Sequence, residues 1–245
     1  MNLTINDYSI YKSTLKNIDF DNSKIINTIN PHSYCVALKD VDFRNALKNS
    51  DILLPDGIGI VWAEKFLNDN SIKKIAGYDL FLFLMNKLNN ENGSVFFLGA
   101  SCTTLEKIRR KALINYPNIS LASYSPPYKS NFSEMDSNLM CEKVNSFKPD
   151  VLFVGMTAPK QEKWVYHNKS KLNVNTICSI GAVFDFYAGN IERAPKFLVG
   201  LGLEWLHRSF KSYRLFRRNF ISNPKFIIEI LKLKLSNENS NNNSK

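Results

Sequence analysis

Cysteine is sparse in this sequence and never spaced as a pair. Cys35, Cys102, Cys141 and Cys178 lie far apart, so no zinc clip or CxxC dithiol centre is indicated and reduced thiols in a cytosol fit best. Glycine and proline, 10 and 9 of 245 residues, are too few for a fibrous or low-complexity chain. No apolar run approaches the roughly 20 residues that cross a bilayer. The opening through Asn6, Asp7 and Ser9 lacks the charged-then-apolar layout of a secretory signal. The expectation is a protein neither exported nor membrane-spanning, free to lie on a membrane surface.

Cofactor signatures are missing too. Gly99-Ala100-Ser101 lacks the three-glycine spacing of a dinucleotide fingerprint, and no GxxxxGK[ST] occurs, which sets NAD and P-loop readings aside. His32, His167 and His207 are too dispersed for an obvious metal site. Two DxD triplets exist, Asp19-Phe20-Asp21 and Asp40-Val41-Asp42, but neither follows a predicted strand. Both read better as solvated acids than as ligands of a divalent ion, so no metal and no cofactor is expected.

What is present is a foldable chain, 44% hydrophobic and 12% aromatic, of a size to bury one catalytic-scale core. Short apolar runs at Lys24–Asn27, Asp51–Leu54, Ser94–Leu98, Ile119–Ser123, Val151–Val154 and Thr176–Ile180 predict strands. Between them, Ser33–Lys48, Gly59–Asn68, Tyr78–Asn89, Thr103–Tyr116, Ser133–Phe147 and Lys160–Lys169 have helical period and length. The alternation predicts an α/β, Rossmann-like domain over residues 1–195, with a largely parallel sheet and helices on both faces. A basic helical appendage is predicted over 196–235 and a disordered tail over 236–245.

Ligands of such sheets gather at the carboxyl ends of the strands, where helix N-termini present free N–H groups. Asp56 stands there, after Ile52-Leu53-Leu54-Pro55 and before Gly57 and Gly59. Its carboxylate can serve as a general base on a hydroxyl, or it can cap the following helix. Thr28 and Asn30 end the preceding strand with the same two alternatives. Gln161, in Pro159-Lys160-Gln161-Glu162, can hydrogen-bond a sugar or pyrophosphate, while Glu162 favours the helix dipole.

The charge is focused. Of the net +10, the segment Arg193–Lys234 holds +8, ten cations against Glu204 and Glu229. His207, Lys211, Arg214 and Arg218 fall at i, i+4, i+7 and i+11 beside an apolar stripe of Leu206, Phe210, Tyr213, Phe216 and Phe220. Pro224 should end that helix, leaving Phe226–Leu235 as a second. Apolar and basic stripes running together point to an anionic membrane surface rather than to nucleic acid.

Taken together, several motifs resemble the WecG/TagA/CpsF family of bacterial glycosyltransferases, in order from Ile25 to Arg218. They are Pro55-Asp56-Gly57-Ile58-Gly59, Gly77-Tyr78-Asp79-Leu80, Phe97-Leu98-Gly99-Ala100, Pro159-Lys160-Gln161-Glu162-Lys163-Trp164, Gly181-Ala182-Val183-Phe184-Asp185-Phe186, Arg193-Ala194-Pro195 and Leu203-Glu204-Trp205-Leu206. The resemblance implies inverting, metal-independent transfer of N-acetylmannosamine or a related sugar from a UDP-sugar to an undecaprenyl-diphosphate-linked amino sugar. It places the protein peripherally on the inner face of the cell membrane, in cell-surface polysaccharide or teichoic acid synthesis, and is compatible with a homo-oligomer. Asp56 becomes the base, with Thr28 and Gln161 positioning substrate. Asn30, Gly57, Lys74, Gly99, Ala100, Glu162, Gly181, Asp185 and Arg193 join Arg208, Arg214, Arg217 and Arg218 as the substrate-binding set. Lys74 stands where the family usually has Arg, giving a point charge and no bidentate fork. The competing reading is a non-catalytic nucleotide- or nucleic-acid-binding module on the same frame.

Overall fold

The computed structural model describes residues 5, 8–20, 22–200, 202 and 204–242, with the side chains at 196, 208, 210, 211, 214 and 237–242 outside that description. Among these residues six strands form one sheet: β1 (Lys24–Ile29), β2 (Ile52–Pro55), β3 (Ser94–Gly99), β4 (Ser120–Tyr124), β5 (Val151–Gly155) and β6 (Thr176–Ser179). Their order is β2-β1-β6-β5-β3-β4, and every pairing is parallel. Each expected strand is present to within a residue or two. Strands β2, β5 and β6 are buried along their whole length, which is why they read as continuous apolar runs and not as alternating ones.

Among the described residues eleven α-helices surround the sheet: α1 (Pro31–Ala37), α2 (Val41–Lys48), α3 (Ile58–Asn68), α4 (Gly77–Glu91), α5 (Cys102–Asn115), α6 (Glu134–Phe147), α7 (Lys160–Asn168), α8 (Val183–Ala188), α9 (Lys196–Gly200), α10 (Glu204–Lys211) and α11 (Tyr213–Asn242). Helices α4, α5 and α8 share one core with Ile26, Leu54, Phe97, Phe153 and Cys178. Helices α6 and α7 pack on the opposite face against Ile25, Phe96, Leu152 and Ile177. Beside them α1, α2, α3 and α11 enclose Ile29 and Leu53, with Tyr34, Ile60, Phe226 and Ile230 at the centre.

Neighbouring β1 and β6 thus send their chains to opposite faces, into α1 and α8, and β5 and β3 do the same through α7 and α5. Crevices open at such reversals along the carboxyl edge of the sheet.

Two local expectations are corrected. The helix expected over Ser33–Lys48 is two, because Asp40 accepts from the Phe43 N–H at 2.9 Å and caps a new start. Pro224 lies inside α11 and does not end it. The missing N–H costs one ladder bond, while Ser222, Phe226 and Ile230 on either side are buried against the body. Helix α11 extends to Asn242.

Candidate active site

Asp56 leaves β2 at the carboxyl rim. Its N–H donates to the Ile29 carbonyl at 2.9 Å, binding the exits of β2 and β1 together. The register sets Thr28 opposite Leu54 and Ile29 opposite Pro55, so Thr28 and Asp56 stand two positions apart on adjacent strands. The N-cap position of α3 falls on Gly57, whose φ of +110° an L side chain rarely adopts. Asp56 is therefore not the N-cap residue, and its half-buried carboxyl-bearing position lies outside the helix.

Asn30 does cap. Its Oδ1 accepts from the Ser33 N–H at 3.0 Å, and Ser33 Oγ accepts from the Asn30 N–H at 2.8 Å, a reciprocal box that opens α1. Gly57 lies against it, with a built Cβ 4.0 Å from Asn30 Cβ. The Ile75 N–H donates to the Pro55 carbonyl at 2.9 Å, bringing Lys74 to the same exit. Lys74 Nζ donates to the Val199 carbonyl at 3.3 Å, so this cation touches α9.

Gln161 is buried, and both its amide oxygen and its amide nitrogen are hydrogen-bonded within the protein. Its Oε1 accepts from the Met156 N–H at 3.1 Å and the Gly181 N–H at 3.0 Å, clamping the loops after β5 and β6. Its Nε2 donates to Glu162 Oε1 at 2.8 Å. Glu162 is buried as well, and loss of hydration raises its carboxyl pKa from the ordinary 4.5 to about 7. Its Oε2 is buried without a partner among the described residues.

At β3 the rim narrows. A Cβ on Gly99, at φ +119°, would meet the Gly155 carbonyl oxygen at 2.5 Å, so only glycine fits. The Ala100 N–H donates to that carbonyl at 3.1 Å, and Ala100 itself has φ +56°. Asp185 lies in α8, where its Oδ1 accepts from Asn190 Nδ2 at 3.1 Å; Asn190 in turn binds Thr104 and Lys107 of α5. Asp185 thus braces α8 against α5.

Arg193 joins α4 to α10. Its guanidinium lies 4.5 Å from the centre of the Tyr78 ring, with Asp79 and Glu204 each 3.4 Å away. Tyr78 as this platform escaped sequence reasoning, although it sits inside the Gly77-Tyr78-Asp79-Leu80 motif. Arg217 is exposed on α11, and the Arg218 Nε donates to Asn219 Oδ1 at 3.3 Å. The side chains of Arg208 and Arg214 lie outside the described residues. A further link missed by the sequence is His32 Nδ1 to Ser222 Oγ, 2.8 Å, which joins α1 to α11. Burial, then the nearby Arg218 charge, lowers the His32 pKa to about 4, so the ring is neutral near pH 7. A cleft of about 620 Å3 opens beside it, lined by His32, Lys39, Ser222 and Lys225 but not by Asp56.

The DxD acids do not converge on the rim. Asp40 pairs with Lys163 at 3.0 Å, and Asp42 lies 4.0 Å from the same ammonium and 2.8 Å from His167 Nε2, so neither is merely solvated. Asp19 lies 3.4 Å from Lys24, and Asp21 is outside the described residues.

The carboxyl rim of this parallel sheet carries an acid, a threonine and several helix N-termini, at the edge where ligands of such sheets gather. The chain matches the Glycosyl transferase WecG/TagA/CpsF family over residues 2–240. It is 32% identical over 215 residues to a Bacillus subtilis N-acetylglucosaminyldiphosphoundecaprenol N-acetyl-beta-D-mannosaminyltransferase, covering 88% of this chain and 82% of that protein. Proteins of the same name from Bacillus spizizenii (31%, 88% of this chain and 81% of theirs) and Staphylococcus aureus strain MW2 (27%, 87% and 82%) are also similar. The chain belongs to the WecG/TagA/CpsF family and is a glycosyltransferase.

Proposed function

We propose that the protein transfers an N-acetyl-beta-D-mannosaminyl group from a UDP donor to an undecaprenyl-diphosphate-linked N-acetylglucosamine, without a metal ion, on an anionic membrane surface. The similar proteins' names supply the sugar and the lipid-linked acceptor. The observation that carries the reading on this chain is the position of Asp56. It stands at the rim between two strand exits, two residues before Ile58, against which the appendage loop closes at Gly202.

The acceptor hydroxyl oxygen attacks C1 of the donor sugar as the C1–O bond to UDP breaks. Asp56 accepts the hydroxyl proton, and the electron pair leaves with the UDP oxygen. Attack opposite the leaving group inverts the anomeric carbon. Thr28 lies beside Asp56 to orient the hydroxyl. Gln161 acts by holding the loops at Met156 and Gly181 in register. Helix N-termini, Lys74, Arg217 and Arg218 would meet the diphosphate charge, joined by Arg208 and Arg214 of the same segment. On this reading residues 1–195 are the catalytic body and the segment from 196 is a lid and membrane contact.

The test incubates the protein with UDP-N-acetylmannosamine and a short-chain polyprenyl-diphosphate N-acetylglucosamine in a chelating buffer. UDP release only when both are present, with a disaccharide product by mass spectrometry, supports the reading. Release that requires an added divalent cation removes its metal independence, and the absence of a disaccharide with any nucleotide sugar removes the activity.

A further inference from the structure

Helix α3 begins immediately beyond Asp56 and leaves a large aromatic unburied. Trp62 is 38% exposed and Ile58 44% exposed. Trp62 stacks on Phe66 with ring centres 5.3 Å apart and planes at 12°. Ile58, Trp62 and Phe66 succeed one another at four-residue steps, so they form one stripe along the helix. The opposite side of α3, Ile60, Ala63 and Leu67, is in the core.

Helix α11 runs alongside it. Phe226 lies against Gly59, Ile230 shares the core with Ile60 and Ala63, and Lys234 Nζ reaches to 5.7 Å of the Phe66 ring centre. These contacts advance together along both helices, so the two are parallel. On α11, Tyr213, Phe220, Ile227 and Lys234 recur every seven residues, with Leu231 one turn from both Ile227 and Lys234. All the apolar members of that stripe are exposed. Lys234 of this stripe lies 5.7 Å from the Phe66 ring centre of the other, so the two stripes come together at the C-terminal end of α3. Exposed apolar residues on both helices thus stand beside one another, a grouping that marks an interaction surface where scattered single residues do not.

Charge identifies the occupant. From Tyr213 to Leu235, α11 carries Arg214, Arg217, Arg218, Lys225, Lys232 and Lys234 against Glu229 alone. A second copy docking here would bring like charge against like charge, whereas an anionic bilayer takes both the cations and the apolar face. We propose that the α3 stripe of Ile58, Trp62 and Phe66 is half of the lipid-contacting surface, with the Trp62 ring entering the acyl boundary of an anionic leaflet beside the α11 stripe. This rests on the membrane reading of the previous section and extends it from the appendage to the catalytic body. It sets Asp56 two residues from the leaflet, where an acceptor can present its sugar while its lipid stays in the membrane.

The chain holds three tryptophans, of which Trp164 is buried and Trp205 half-buried. Wild type and Trp62→Phe are mixed with phosphatidylglycerol vesicles whose acyl chains carry bromine as a contact quencher, and pelleting is measured in parallel. Both proteins should pellet, and Trp62→Phe should lose about half or more of the quenchable fluorescence. Trp62→Glu, checked for native circular dichroism, should weaken vesicle partition on the order of tenfold. Pelleting with equal quenching of wild type and Trp62→Phe overturns the α3 contact and leaves the membrane reading standing. Failure of wild type to pellet overturns both. A Trp62→Glu change that converts a vesicle-free dimer to monomer in sedimentation velocity assigns the face to a second copy and overturns the proposal.

Discussion

Replacing Glu162 by Gln should change how stability depends on pH, with little regard to how the offset between the two proteins falls. The wild-type carboxyl is buried, its Oε1 accepts from Gln161 Nε2 at 2.8 Å, and its pKa is raised by burial from 4.5 to about 7. An acid whose folded pKa exceeds its unfolded one binds more protons folded than unfolded between those values. Its ionisation therefore opposes folding, and stability falls as pH rises from about 4.5 to about 7, then levels off. At about 1.4 kcal/mol for each pH unit, the wild type should lose roughly 3 kcal/mol from this group across that window. Glu162→Gln cannot ionise and keeps an oxygen to accept the Gln161 bond. Urea denaturation of both proteins from pH 4 to pH 8.5 gives the difference curve, in which other titrating groups cancel. That difference should move in favour of the variant by roughly 3 kcal/mol over the window. Parallel curves for the two proteins would refute the reasoning, since they would mean that the buried carboxyl titrates as it does in the unfolded chain.

Other perturbations follow from the same geometry. Gly99→Ala forces a methyl to 2.5 Å from the Gly155 carbonyl at φ +119°, and should cost about 2–4 kcal/mol in a urea midpoint measurement. A cost below half a kcal/mol would contradict the close approach at β3 and β5. Arg193→Ala removes the Tyr78 contact and the partners Asp79 and Glu204. At about 1 kcal/mol for these partly exposed contacts, limited proteolysis between α8 and α10 should speed about fivefold, and an unchanged rate would mean that the joint does not depend on this arginine. Deleting the residues after Phe197 should release the protein from anionic vesicles and sharply lower turnover on a lipid-linked acceptor; unchanged pelleting would remove α11 from the membrane contact.

Most strands were legible because they are short buried runs closed by a turn residue, where burial leaves no competing pattern; β4, at the sheet edge, is exposed or half-buried throughout. Asp40 was harder. It sits inside a stretch whose apolar period continues through it, and only the Phe43 N–H it accepts reveals a second helix start. Pro224 misled for the opposite reason: the local rule against proline in helices is outweighed by flanking residues packed against the body. At the rim, Asp56 could be read because strand ends are where ligands gather, but the Gln161 clamp could not. Met156 and Gly181 meet Gln161 only after β5 and β6 pair, and Arg193 finds Tyr78 and Asp79 across more than a hundred residues. Sequence places a residue at an edge of the sheet; the contacts that engage it belong to the assembled fold.

Turnover of an Asp56→Asn variant addresses the central assignment most directly. With UDP-N-acetylmannosamine and the lipid-diphosphate acceptor both saturating, a variant with native circular dichroism should lose on the order of a hundredfold or more in disaccharide formation, as expected for removal of a general base. Formation at close to the wild-type rate would show that the proton leaves by another route and that Asp56 is not the base.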